Sequence, residues 1–72
     1  MGLDLSATTD RRGYMPIHLA AEAGHIDIVQ LLLEAGVDVN VRTTYGLTAL
    51  KVAAQNKHIE MADYLISKGG VR

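Results

Sequence analysis

The chain has 72 residues, enough for one small domain, and its 49% hydrophobic and 21% charged content is that of a folding sequence, not a disordered one. It contains no cysteine, which excludes disulfides and thiolate zinc sites. Seven Lys/Arg against eight Asp/Glu leave a formal charge of −1, too balanced for strong non-specific attraction to nucleic acid or acidic lipid. Its apolar runs, such as Leu31-Leu32-Leu33, are far too short to cross a membrane, and neither a transmembrane span nor a signal peptide is expected.

Residues 1–9 read as the tail of a preceding unit. Asp10-Arg11-Arg12-Gly13 is a turn signal, and Gly13 can take a positive φ. Pro16 suits the first position of a helix, where its missing N–H is not needed, and the Ala-rich segment to Glu22 continues that helix until Gly24 breaks it. A second helix runs from about Ile26 to Ala35, with Gly36 placed for a left-handed C-terminal cap. Val37-Asp38-Val39-Asn40 then extends as a loop. The same series returns 33 residues on: Gly13 as Gly46, Ala20-Ala21 as Ala53-Ala54, His25-Ile26 as His58-Ile59, Leu32 as Leu65 and Gly36 as Gly69. The chain therefore divides into a stub at 1–9, a unit at 10–42 and a second unit at 43–72, all within one domain. Two helices this short cannot bury their apolar faces alone, so the units must stack on one another.

Met15-Pro16-Ile17-His18-Leu19-Ala20-Ala21, followed by Gly24-His25, Leu31-Leu32-Leu33 and Gly36-Val37-Asp38-Val39-Asn40, resembles the ankyrin repeat, whose period it shares and whose T-P-L-H-x-A spelling it follows with Met15 and Ile17 in place of the threonine and leucine. The resemblance covers nearly the whole chain. It implies an all-α solenoid of helix-turn-helix units with β-turn fingers. Departures from the family pattern are specific. Unit one keeps His18 but has Met15 where a threonine is usual; unit two keeps Thr48 but has Lys51 where the histidine is usual. Thr43 stands for the turn aspartate, Ala49 for the proline, and Lys57 for the glycine that unit one retains as Gly24. If that turn is left-handed, Lys57 is strained by about 1 kcal/mol.

The resemblance further implies protein–protein binding without catalysis, through the turn tips and inner helices. The matching positions are Arg11, Arg12 and Tyr14 on the first finger, and Arg42, Thr44, Tyr45 and Leu47 on the second. On the inner helices they are Glu22, Ala23, Gln55 and Asn56. Arginine and tyrosine are enriched at binding hot spots, and the excess of arginine suggests acidic groups on the partner. No catalytic constellation, metal site or cofactor is expected: His25 and His58 share a repeat position on separate rungs, and no Ser or Cys nucleophile has a histidine at suitable spacing. Met1-Gly2-Leu3-Asp4-Leu5-Ser6 formally fits a myristoylation pattern but is explained by the repeat. Asn40 lies in a context resembling that of asparaginyl hydroxylation, yet a loop Asn bonding across to the neighbouring turn accounts for it. The partner is expected to be another protein, not nucleic acid or membrane, in an intracellular setting. The alternative is an excised or engineered repeat fragment that mainly self-associates, either as a homo-oligomer or as part of a longer array.

Overall fold

The computed structural model describes residues 13–71. The stub at 1–9, the myristoylation pattern, and the fingertip residues Arg11 and Arg12 lie outside the described residues. Four helices follow one another: α1 (Pro16–Ala23), α2 (Ile26–Glu34), α3 (Ala49–Gln55) and α4 (Ile59–Ser67), with no strand among the described residues. Each pair is an antiparallel hairpin, and the two pairs stack through α1 against α3. The all-α helix-turn-helix architecture expected from the repeat is therefore present.

Each helix stops by the same device. The amide just after a left-handed residue reaches back five residues to a carbonyl in the last turn, as in His25 to Ala20 (2.9 Å), Val37 to Leu32 (3.1 Å), His58 to Ala53 (2.9 Å) and Gly70 to Leu65 (2.7 Å). This motif needs one left-handed residue. Gly24, Gly36 and Gly69 supply it, and in α3 Lys57 does so at φ 61°, the sole non-glycine with positive φ among the described residues. Lys57 thus carries the strain anticipated from its replacement of glycine.

The core lies along the seam between the pairs. Ile17, Ala21, Val29, Ala49, Val52, Ala53 and Leu65 are fully buried. Alanines at 20, 21, 49 and 53 carry little side-chain bulk, which lets α1 and α3 approach closely.

Candidate functional site

The second finger is a tight turn built by its own first residue. Gly46 N–H donates to the Thr43 carbonyl (2.9 Å), and Thr43 N–H donates to the Leu47 carbonyl (2.9 Å). The buried Thr43 hydroxyl accepts from the amides of Tyr45 and Leu47, each at 3.2 Å. An aspartate carboxylate could do the same, so threonine here keeps the turn's hydrogen bonding. The result is a fixed backbone that presents Tyr45, 71% exposed, with Arg42 and Thr44 also exposed beside it.

Gly13, the residue that ends the first turn, sits against the second finger. A Cβ at Gly13 (φ 74°) would meet the Thr44 backbone nitrogen at 2.7 Å, so glycine is required there by close approach as well as by conformation. Tyr14, expected at the first fingertip, is a core residue, 6% exposed, its ring 5.6 Å from that of His18. It follows the turn instead of forming its tip, and packing on the buried imidazole takes it out of solvent. Leu47, at the equivalent position of unit two, is half-buried and packs on the same core. On the inner helices Ala23, Gln55 and Asn56 are exposed and Glu22 is half-buried. The Asn56 amide also caps α3, donating to the Val52 carbonyl (2.9 Å).

Three side chains hold the fingers and loops in register. The Met15 N–H donates to His18 Nδ1 (2.9 Å), which leaves the ring proton on Nε2 to donate to the Val41 carbonyl (2.9 Å) just before the second finger. Burial pushes the His18 pKa below its ordinary 6.5, an effect opposed by backbone hydrogen bonds with Val41 and Leu47. His58 Nε2 donates to the Glu22 carbonyl (2.8 Å), tying unit two back to unit one. The Asn40 amide donates to the Gly69 carbonyl (3.1 Å), and its oxygen accepts from Val71 N–H (2.8 Å). Asn40 therefore bonds across to the next loop, the structural role set against hydroxylation. The His58 tie was not foreseen in the sequence; its signal there was the recurrence of the histidine at a fixed offset.

Among the described residues no group of three or more His, Asp or Glu side chains could hold a metal ion, and no helix is long and apolar enough to cross a membrane. A sequence profile of ankyrin repeats in three copies matches residues 2–72. The chain belongs to the ankyrin-repeat family. Ankyrin-repeat relatives are diverse. The chain is 53% identical over 51 residues to a rice (Oryza sativa subsp. japonica) protein named as a probable E3 ubiquitin-protein ligase, XBOS33; the match covers 71% of this chain and 10% of that protein. It is 42% identical over 53 residues to the NF-kappa-B inhibitor cactus of Drosophila melanogaster, covering 72% of this chain and 11% of cactus. An ankyrin repeat-containing protein of Schizosaccharomyces pombe is 41% identical over 59 residues, 82% of this chain and 27% of that protein. The chain thus spans about a tenth of the length of the rice ligase it matches. Ankyrin repeats are in general protein-interaction modules, and this chain has their fold and their spelling.

Proposed function

We propose that this ankyrin-repeat chain is a non-catalytic protein-binding module that engages its partner through the second finger and the neighbouring exposed faces of α1 and α3. The observation that carries the reading is Tyr45, a large aromatic side chain held in solvent on a turn whose backbone is fixed by Thr43. A preorganised aromatic loses little entropy on binding, and tyrosine and arginine are the types that most often anchor interfaces. Arg42 and Thr44 flank it, and Ala23, Gln55 and Asn56 extend the surface along the inner helices. Arg42, with Arg11 and Arg12 of the first finger in sequence, favours a partner bearing acidic groups. The relative cactus is named as an inhibitor of another protein, which agrees with recognition of a protein surface. An intracellular setting fits the cysteine-free composition.

The test is affinity capture of the partner by the wild-type chain and by Tyr45→Ala and Arg42→Ala. Each substitution weakens binding by about 1–2 kcal/mol and leaves the melting temperature within about a degree or two. Undiminished capture by the double variant would place the binding surface elsewhere.

A further inference from the structure

The contact between the two units has an imidazole at each end, and the two rings are held differently. His18 lies at the root of the second finger. Its Nε2–H donates to the Val41 carbonyl (2.9 Å) on the way into the finger, and Leu47, on the way out, also bears on the ring by a backbone hydrogen bond. Thr43 N–H closes the finger on the Leu47 carbonyl, so both stems of the finger meet at this ring. On its other nitrogen the fully buried His18 accepts the Met15 N–H (2.9 Å). Both nitrogens are thus committed, and a second ring proton displaces the Met15 amide.

His58 holds the opposite end, where α1 stops. Its Nε2–H donates to the Glu22 carbonyl (2.8 Å), and among the described residues its Nδ1 accepts no hydrogen bond. That nitrogen faces Gly24, where a Cβ would lie 3.1 Å away, beside a notch lined by Lys57, Glu60 and Met61. A proton on Nδ1 breaks no existing bond, and the charged ring still donates to Glu22, now by a charge-assisted bond.

We propose that the second finger is fastened by a proton-sensitive latch: a second proton on His18 frees the finger from α1, while the far end of the contact between units, held by His58, stays shut. A charged His18 cannot keep the Met15 amide as a donor, and burial disfavours its charge. Turning out to water relieves both and takes the Nε2–H away from Val41. Burial holds the proton affinity of the ring below the ordinary 6.5, so the latch is closed at neutral pH and opens on the acid side. Few titratable or charged groups surround the ring. Tyr14 lies 5.6 Å away, centroid to centroid, and Glu22 follows one turn along α1. Arg42 adjoins Val41, and Lys51 stands on α3, which packs against α1; both are exposed. Burial and the Val41 and Leu47 hydrogen bonds, not a carboxylate, set the ring's proton affinity. The consequence for binding rests on the reading that Tyr45 anchors the partner: a released finger no longer holds that side chain in one place, and affinity falls with pH.

The test is heteronuclear NMR of the 72-residue chain between about pH 7.5 and about pH 5, above the carboxylate range. Ring nitrogen shifts report the protons, and backbone order parameters report the finger. As His18 takes its second proton, the order parameters of the Thr43, Tyr45 and Leu47 amides fall from about 0.85 to below about 0.6, while those of Ala62 and Leu65 in α4 stay rigid. His18→Gln, whose amide can accept from Met15 and donate to Val41 without titrating, keeps the finger ordered throughout. His58→Gln leaves the wild-type transition in place. If His18→Gln does not fold at neutral pH, the wild-type titration alone decides. A His18 ring that stays neutral down to about pH 5 overturns the proposal. So does a protonated ring under a finger that is still rigid, and so does loosening of α4 together with the finger. The two readings fail separately. Undiminished capture by Tyr45→Ala removes the binding reading and leaves the latch standing; a finger that stays ordered in acid removes the latch, whatever the partner does.

Discussion

The two units begin their first helices with opposite halves of the same device. At α1 the N-cap is Met15, whose side chain makes no capping bond, and His18 reaches back to accept the Met15 amide. At α3 the N-cap is Thr48, whose hydroxyl accepts from Lys51 N–H (3.2 Å), and Lys51 is exposed and sends nothing back. Each surviving half also holds a downstream loop. His18 donates to Val41, and the Thr48 hydroxyl donates to the Val71 carbonyl. A helix start can thus be secured from either end, provided the group that does it also ties down the chain that follows. The two solutions differ in chemistry, because imidazole takes up a proton near neutrality and a hydroxyl does not.

The comparison is broken most severely at His18. His18→Ala removes a fully buried ring and leaves the Met15 amide and the Val41 carbonyl without it, and is expected to cost about 2–4 kcal/mol in urea unfolding. The same residue makes stability sensitive to acid. Its folded pKa lies below 6.5, so the unfolded chain binds the extra proton first; stability is full above that value and falls as pH drops below it. Protonation would also place a second N–H against the Met15 amide. Urea midpoints at about pH 7.5 and about pH 5.5 should differ more for wild type than for His18→Gln. An equal drop in both would move the acid sensitivity to another group.

Gly24→Lys is next. It forces a side chain into left-handed backbone and against the His58 ring, for about 2 kcal/mol of destabilisation by thermal melting. Thr48→Ala removes the cap of α3 and its tie to Val71, for about 1–2 kcal/mol, and hydrogen exchange should show faster opening in α3–α4 than in α1–α2. Lys57→Gly relieves strain at φ 61° and should raise stability by about 1 kcal/mol in urea unfolding. The smallest change is Lys51→His, which restores the missing half of the device in unit two. It should add about 0.5 kcal/mol, since the new ring would stand in solvent.

Much of this was legible in the sequence because the repeat constrains it twice. Pro16 fixed where α1 starts, and the offset carried that boundary to Ala49. Gly24 and Lys57 at equivalent sites pointed to a strained lysine, and its positive φ is observed. The divided His18/Thr48 network is also present as expected. Tyr14 was not legible by residue type, since an exposed and a buried tyrosine look alike in composition. Register separates them: Tyr14 aligns with Leu47, on the inward side of the turn, whereas Tyr45 aligns with Arg12 at the tip. Chemical identity drew Tyr14 to the surface; periodicity would have kept it inside. The carbonyl that His58 selects was illegible for another reason. It depends on how far the two helix pairs slide past each other, which the spelling of one repeat does not specify.

The ties between units have a kinetic consequence. His18 to Val41, Asn40 to Gly69 and His58 to Glu22 close loops of 23, 29 and 36 residues, each near one repeat length. Loop-closure entropy grows only logarithmically with separation, and here the separation does not grow with the number of units at all. A further 33-residue copy inserted between Arg42 and Thr43 would lengthen the protein while every such loop kept its size, so the folding barrier should stay that of one pair of neighbours.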